Sequence, residues 1–130
     1  NTFHDVDIAI AARKVIVTCE ELVSDEYIKK FNADENKIPG FCVDAVVHAP
    51  FGAHPSQCYK YYDYDADFYK MYNVKSKTEE DFNAFLDEWV YGVEDHDAYL
   101  NKLGATRVIG LKDVPGFGYA TDVLKKGEEK

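Results

Sequence analysis

The spacing of apolar positions changes along the chain, and each change marks an element. In residues 5–13, Val6, Ala9, Ile10 and Arg13 share one face at helical spacing, with aspartates near the start, which predicts a helix. Residues 14–19 (KVIVTC) then show no alternation, the pattern of a short strand covered on both faces. Ser24 followed by Asp25 and Glu26 signals the start of a short helix ending near Lys30. A polar loop follows, closed by the turn dipeptide Pro39-Gly40. Residues 41–49 (FCVDAVVHA) read as a second strand, ended by Pro50 and Gly52.

The later half is helical in pattern. A helix is expected over residues 63–72. A clearer one covers 79–90, where Phe82, Phe85, Leu86, Trp89 and Val90 form an apolar stripe that Thr78 can cap. Residues 94–103 predict a further helix with Tyr99 and Leu103 inward and Gly104 as its stop. Residues 105–111 fit strand and helix equally well. Helix, strand, helix, strand and then helices is the order of an α/β layer with an open, mainly parallel sheet and covering helices. Two strands do not make a self-covering sheet, so other chain segments or a partner are expected to complete it. The missing initial methionine points to a fragment or a processed product. Residues 1–124 are assigned to part of a single domain, and 125–130 to a charged, flexible tail.

Composition narrows the function classes. Hydrophobic residues make up 46% and aromatics 15%, enough for a packed core and unlike a disordered chain. With 15 basic and 24 acidic side chains the net charge is −9, a field that repels nucleic acid. No apolar run approaches the ~20 residues of a membrane-spanning helix, and no signal peptide stands at the start, so a cytoplasmic location is expected. Cys19, Cys42 and Cys58 form no CxxC pair and lie in or beside apolar stretches. They are expected to be reduced, without a metal, because no spacing with His48 or His54 fits a zinc pattern.

Ligands of open parallel sheets gather beyond the carboxyl ends of the strands. That rule selects Glu20 and Glu21 after the first strand and the turn PFGAHPS after the second. Either glutamate could act as nucleophile or acid–base, or simply cap a neighbouring segment; as adjacent residues they do not form a matched dyad. His54 stands between the small residues Gly52 and Ser56, which leaves room for its imidazole to face a cleft. The alternative for this turn is a purely structural one. Tyr59, Tyr61, Tyr62, Tyr64, Phe68, Tyr69 and Tyr72 are interleaved with Asp63, Asp65 and Asp67, which argues against nucleobase stacking and favours packing or a protein interface over a ligand cage. Residues 114–119 (VPGFGY) match no phosphate-binding loop, and Trp89 is expected in the core.

The runs DVDIAIAARKVIVTCEEL, IPGFCVDAVVHAPFGAHPSQCY and YDYDADF together resemble the second half of the A subunit of class I, two-subunit CoA-transferases. SKTEEDFNAFLDEWV and DHDAYLNKLGATRVIGLKDVPGFGY are similar to the glutaconate branch of that family. The resemblance implies an open α/β fold that works with a B subunit and with the N-terminal part of the A subunit. It also implies ping-pong transfer of CoA between an acyl-CoA and a small dicarboxylate such as glutaconate, with CoA esters as substrates and no permanently bound cofactor. In the family the nucleophilic glutamate belongs to the B subunit, so no catalytic residue is assigned here, neither Glu20 nor Glu21. Gly52, Ala53, His54 and Ser56 are the expected substrate-binding residues, with backbone amides, Ser56 and His54 donating hydrogen bonds to a carboxylate. The alternatives are part of a related CoA-ester hydrolase and a non-catalytic scaffold that completes its partner.

Overall fold

Strands β1 (Ile16–Cys19) and β2 (Ala45–His48) lie parallel, with Ile16 opposite Ala45 and Cys19 opposite His48. In this computed structural model residues 4–32, 38–116 and 120 are described. The chain forms two compact units, Asn1–Gly52 and Ala53–Lys130. The expected 125–130 tail lies outside the described residues, as does half of the VPGFGY run.

The first unit is the β-α-β half. Helix α1 (Asp5–Ala11) carries Asp5 and Asp7 in its first turn, where carboxylates complement the helix dipole. Helix α2 (Asp25–Ile28) is capped by Ser24, whose Oγ accepts from the Tyr27 amide. The register of the two strands is fixed where they begin. Asp44 accepts from Lys14 Nζ at 2.6 Å and from the Val15 amide at 2.8 Å, and its own amide donates to the Val15 carbonyl. One expectation is corrected. Residues 41–49 are not all strand: Pro39 leads into a 3₁₀ turn (Gly40–Cys42), which leaves Phe41 91% exposed and delays β2 to Ala45. Ile16, Val46 and Val47 are exposed, as expected of two strands that do not cover themselves.

The second unit is helical. Helix α3 (Ala66–Lys75) starts three residues later than the apolar pattern implied, because Asp65 is its cap and not its first turn. Helix α4 (Glu79–Leu86), capped by Thr78, widens into a single π-type turn, Asp87–Tyr91. Helix α5 (His96–Leu103) is capped by Asp95 and stopped by Gly104, whose φ of 86° suits a residue without Cβ. The ambiguous stretch is helix α6 (Ala105–Leu111). Phe68, Phe85 and Leu103 form the core, with Met71, Leu86, Trp89, Tyr99, Leu100 and Val108 packed on it. Trp89 therefore sits where the stripe placed it.

Candidate functional site

The chain leaves β2 through Ala49 and turns sharply. Gly52 donates to the Ala49 carbonyl, and a Cβ at Gly52 would lie 2.7 Å from that oxygen, so glycine is required by close approach. Phe51 has a φ of 63°, and its amide donates to Glu20 Oε2 at 2.7 Å. That is the capping role weighed for one of the two glutamates: it orders the turn after β2. His48 Nε2 lies 3.2 Å from the Glu20 carbonyl.

From Ala53 onward the turn is tied to the helical unit. The Ala53 amide donates to Tyr62 Oη at 3.0 Å, and Tyr62 is 1% exposed. The Pro55 carbonyl accepts from the Asp65 amide. Ser56 Oγ and Tyr69 Oη are 2.8 Å apart on an exposed part of the surface. His54 differs from its expected setting: its side chain is wholly enclosed, with Nε2 3.0 Å from Asp65 Oδ2 and Nδ1 2.7 Å from Tyr99 Oη. Phe68 and Tyr99 meet the imidazole edge-on.

The centre of this arrangement is Asp65, 3% exposed. Its Oδ1 accepts from the Phe68 amide at 2.9 Å, the helix cap, and from Arg107 Nη2 at 2.8 Å. Its Oδ2 accepts from His54 Nε2 and Arg107 Nε. Burial pushes the Asp65 carboxyl up, but Arg107, His54 and the Phe68 amide outweigh it and bring the value down to about 2. Burial holds His54 below the ordinary imidazole value, against the opposing pull of Asp65. Burial, then the Asp65 charge, pushes the Tyr99 phenol up to about 12. One proton arrangement satisfies all three. Neutral His54 donates from Nε2 to the ionised Asp65, and the Tyr99 hydroxyl donates to Nδ1.

This network gives the helical unit an acid-sensitive stability. Both folded-state values are lowered, so both contributions are present at high pH and lost as pH falls. The His54 contribution is lost from the ordinary imidazole value of about 6.5 downward, through its folded value. The Asp65 contribution, about 2–3 kcal/mol for the drop to about 2, is lost between about pH 4 and 2. Protection of the 66–75 amides against hydrogen exchange, corrected for intrinsic rates, should therefore fall in two stages on acidification. Protection that rises between pH 7 and 5 would contradict this.

Asp65, Tyr99 and Arg107 were not picked from sequence as site residues, although Tyr99 was expected to face inward. Their separations of 42 residues (Asp65 to Arg107) and 45 (His54 to Tyr99) leave no local signature. One clue was available: Arg107 is one of only two arginines in a chain of net charge −9, and it lies in a mostly apolar stretch. Among the described residues no group of three or more His, Cys, Asp or Glu is arranged to hold a metal ion, and Cys19, Cys42 and Cys58 are unbridged.

No family model matches the sequence. Over 124 residues, 95% of the chain, it is 63% identical to the A subunit of glutaconate CoA-transferase from Acidaminococcus fermentans. The crystal structure of glutaconate coenzyme A-transferase from the same organism superposes with a TM-score of 0.83 at 62% identity, over 96% of this chain. The chain belongs to the family of CoA-transferase A subunits. A more distant member, the A subunit of 3-oxoadipate CoA-transferase from Pseudomonas knackmussii, is 36% identical over 97 residues, 73% of the chain and 33% of its own length. This family member spans 38% of the length of its Acidaminococcus relative and 39% of the chain in the crystal structure, and corresponds to the C-terminal part of that relative. The exposed faces of β1 and β2 agree with that partial span. No helix among the described residues is long and apolar enough to cross a membrane.

Proposed function

We propose that this chain is the C-terminal part of the A subunit of an acyl-CoA:carboxylate CoA-transferase that exchanges CoA between acetyl-CoA and glutaconate or a similar dicarboxylate. The high identity to the Acidaminococcus glutaconate enzyme, sustained along nearly the whole chain, carries this reading. The partners are the N-terminal part of the A subunit, and a B subunit that supplies the glutamate nucleophile. That carboxylate attacks the acyl-CoA carbonyl and expels CoA thiolate, leaving a mixed anhydride. The thiolate then attacks the anhydride at the enzyme's carbonyl, releasing acetate and forming an enzyme–CoA thioester. The incoming dicarboxylate runs the same two steps in reverse and departs as its CoA ester.

In this reading the 52–56 turn lines the acceptor end of the site. Gly52 keeps the backbone close, the Ala53 amide ties the turn to Tyr62, and Ser56 supplies a hydroxyl beside Tyr69. His54 serves from behind. Its two nitrogens are already engaged by Asp65 and Tyr99, so it shapes the turn rather than meeting the carboxylate.

The test uses the intact A and B subunits assembled together, supplied with acetyl-CoA and glutaconate. Acceptor-dependent formation of glutaconyl-CoA with parallel double-reciprocal lines is expected. CoA release without any acceptor acid would assign the chain to a hydrolase instead, and absence of both activities would sink the enzymatic reading.

A further inference from the structure

We propose that Arg107, Asp65 and Tyr99 are positioning residues for the acceptor carboxylate: acting through His54, they lock the 53–56 turn so that the Ser56 hydroxyl, beside Tyr69, faces the acceptor. The inference rests on the function proposed above and adds residues from three further elements to the site.

The geometry supports action at a distance along one chain of contacts. Arg107 on α6 reaches both oxygens of Asp65, a forked contact that fixes the carboxylate in rotation as well as in place. The fixed Oδ2 accepts from His54 Nε2, and Tyr99 on α5 holds Nδ1 from the other side. An imidazole gripped at both nitrogens has no rotational freedom, and its backbone begins the Pro55-Ser56 segment. The Asp65 amide then returns to the Pro55 carbonyl, which closes a second link between the carboxylate's own backbone and the turn. Downstream, α3 presents Tyr69 to Ser56. Between two hydroxyls one hydrogen is used for their mutual bond, so the pair keeps one hydrogen to donate outward. Asp65 therefore sets both members of that pair, Ser56 through His54 and the turn, and Tyr69 through the cap of α3.

The groups around His54 include Asp65 at the α3 cap, Tyr99 on α5 and Arg107 on α6, with the Phe68 ring as an apolar wall. Asp65 is buried and Tyr99 is turned onto His54, while Arg107, 34% exposed, spends its fork on Asp65, so their effect on the reaction is routed through the turn.

The experiment is a steady-state comparison in the assembled enzyme, varying acceptor and acyl-CoA separately. Tyr99→Phe keeps the ring that packs on His54 and Trp89 but removes the hydroxyl. It should raise the acceptor KM about five- to tenfold, with the acyl-CoA KM changed less than about twofold. Arg107→Lys, which retains charge but not the fork, should change the same constant in the same direction. Ser56→Ala gives the reference loss. Because Tyr99 acts through the turn that carries Ser56, adding Tyr99→Phe to Ser56→Ala should cost less than the two single effects combined. An unchanged acceptor KM in both Tyr99→Phe and Arg107→Lys, with only the yield of active enzyme reduced, would overturn the inference and leave the transferase reading standing. Full additivity with Ser56→Ala would also overturn it. Absence of acceptor-dependent transfer by the unaltered enzyme would remove the reading itself, and the inference with it.

Discussion

Replacing Asp65 with alanine should destabilise the helical unit by about 3–5 kcal/mol, the usual cost of removing one member of a buried, hydrogen-bonded ion pair. Three losses combine. The Phe68 amide loses its cap, worth about 1 kcal/mol. The enclosed His54 Nε2–H loses its acceptor, and an unsatisfied buried donor costs about 1–3 kcal/mol. Arg107 loses its carboxylate; its side chain is 34% exposed, so water recovers part of that loss. Asp65→Asn should cost less than alanine, because an amide oxygen still caps α3, but its amide nitrogen cannot accept from Arg107 Nε, so part of the loss remains. Hydrogen exchange of peptides covering residues 53–75 and 96–111, in the intact protein, reads the effect locally. Alanine and asparagine variants with equal, near-wild-type protection would show that the carboxylate holds nothing together.

The parts of this structure legible in the sequence are those written in local periodicity. The stripe through Phe82, Phe85, Leu86 and Trp89 identified α4 and its continuation, and Thr78, Ser24 and Gly104 marked helix ends where they act. Boundaries failed where a side chain's partner outweighed its local preference. Asp65 looked like a residue of a helix first turn, yet its oxygens are taken by an amide three residues on and an arginine far away. Residues 41–44 are apolar enough for a strand, but Pro39 and Gly40 start a turn and Asp44 turns back to Lys14 and Val15. The turn at 52–56 was found by the strand-end rule. What supports it was not, because a relay from Arg107 to Asp65 to His54 is a tertiary fact with no spacing to betray it. The tyrosine-rich run shows the same division. Tyr62 is buried with a hydrogen bond to Ala53, while Tyr59 and Tyr64 remain exposed. Spacing alone did not sort them.

Phe68 is where the core meets the His54–Asp65 network, and truncating it should damage both. Its ring is 4% exposed and packs edge-on against Trp89 and His54, each at 5.0 Å between centroids, and against Phe85 at 5.9 Å. The Arg107 guanidinium lies 5.9 Å from the same ring, an added attraction. Phe68→Ala removes the shared wall. The expected cost is about 3–5 kcal/mol, as for other buried phenylalanines, with the upper end favoured because rigid rings on three sides cannot collapse into the gap. Phe68→Leu, which refills most of the volume, should cost less than about 1.5 kcal/mol. Val74→Ala on the same helix, at a position 60% exposed, should stay within about 0.5 kcal/mol. The informative comparison is between stability and the turn. Because the Phe68 ring bears on His54 directly, its loss frees the imidazole from one side, and exchange at the 53–56 amides should rise more than at the end of α3 near Lys75. A uniform rise along both segments would mean that Phe68 supports the fold alone and that the turn depends on its hydrogen bonds without help from the core.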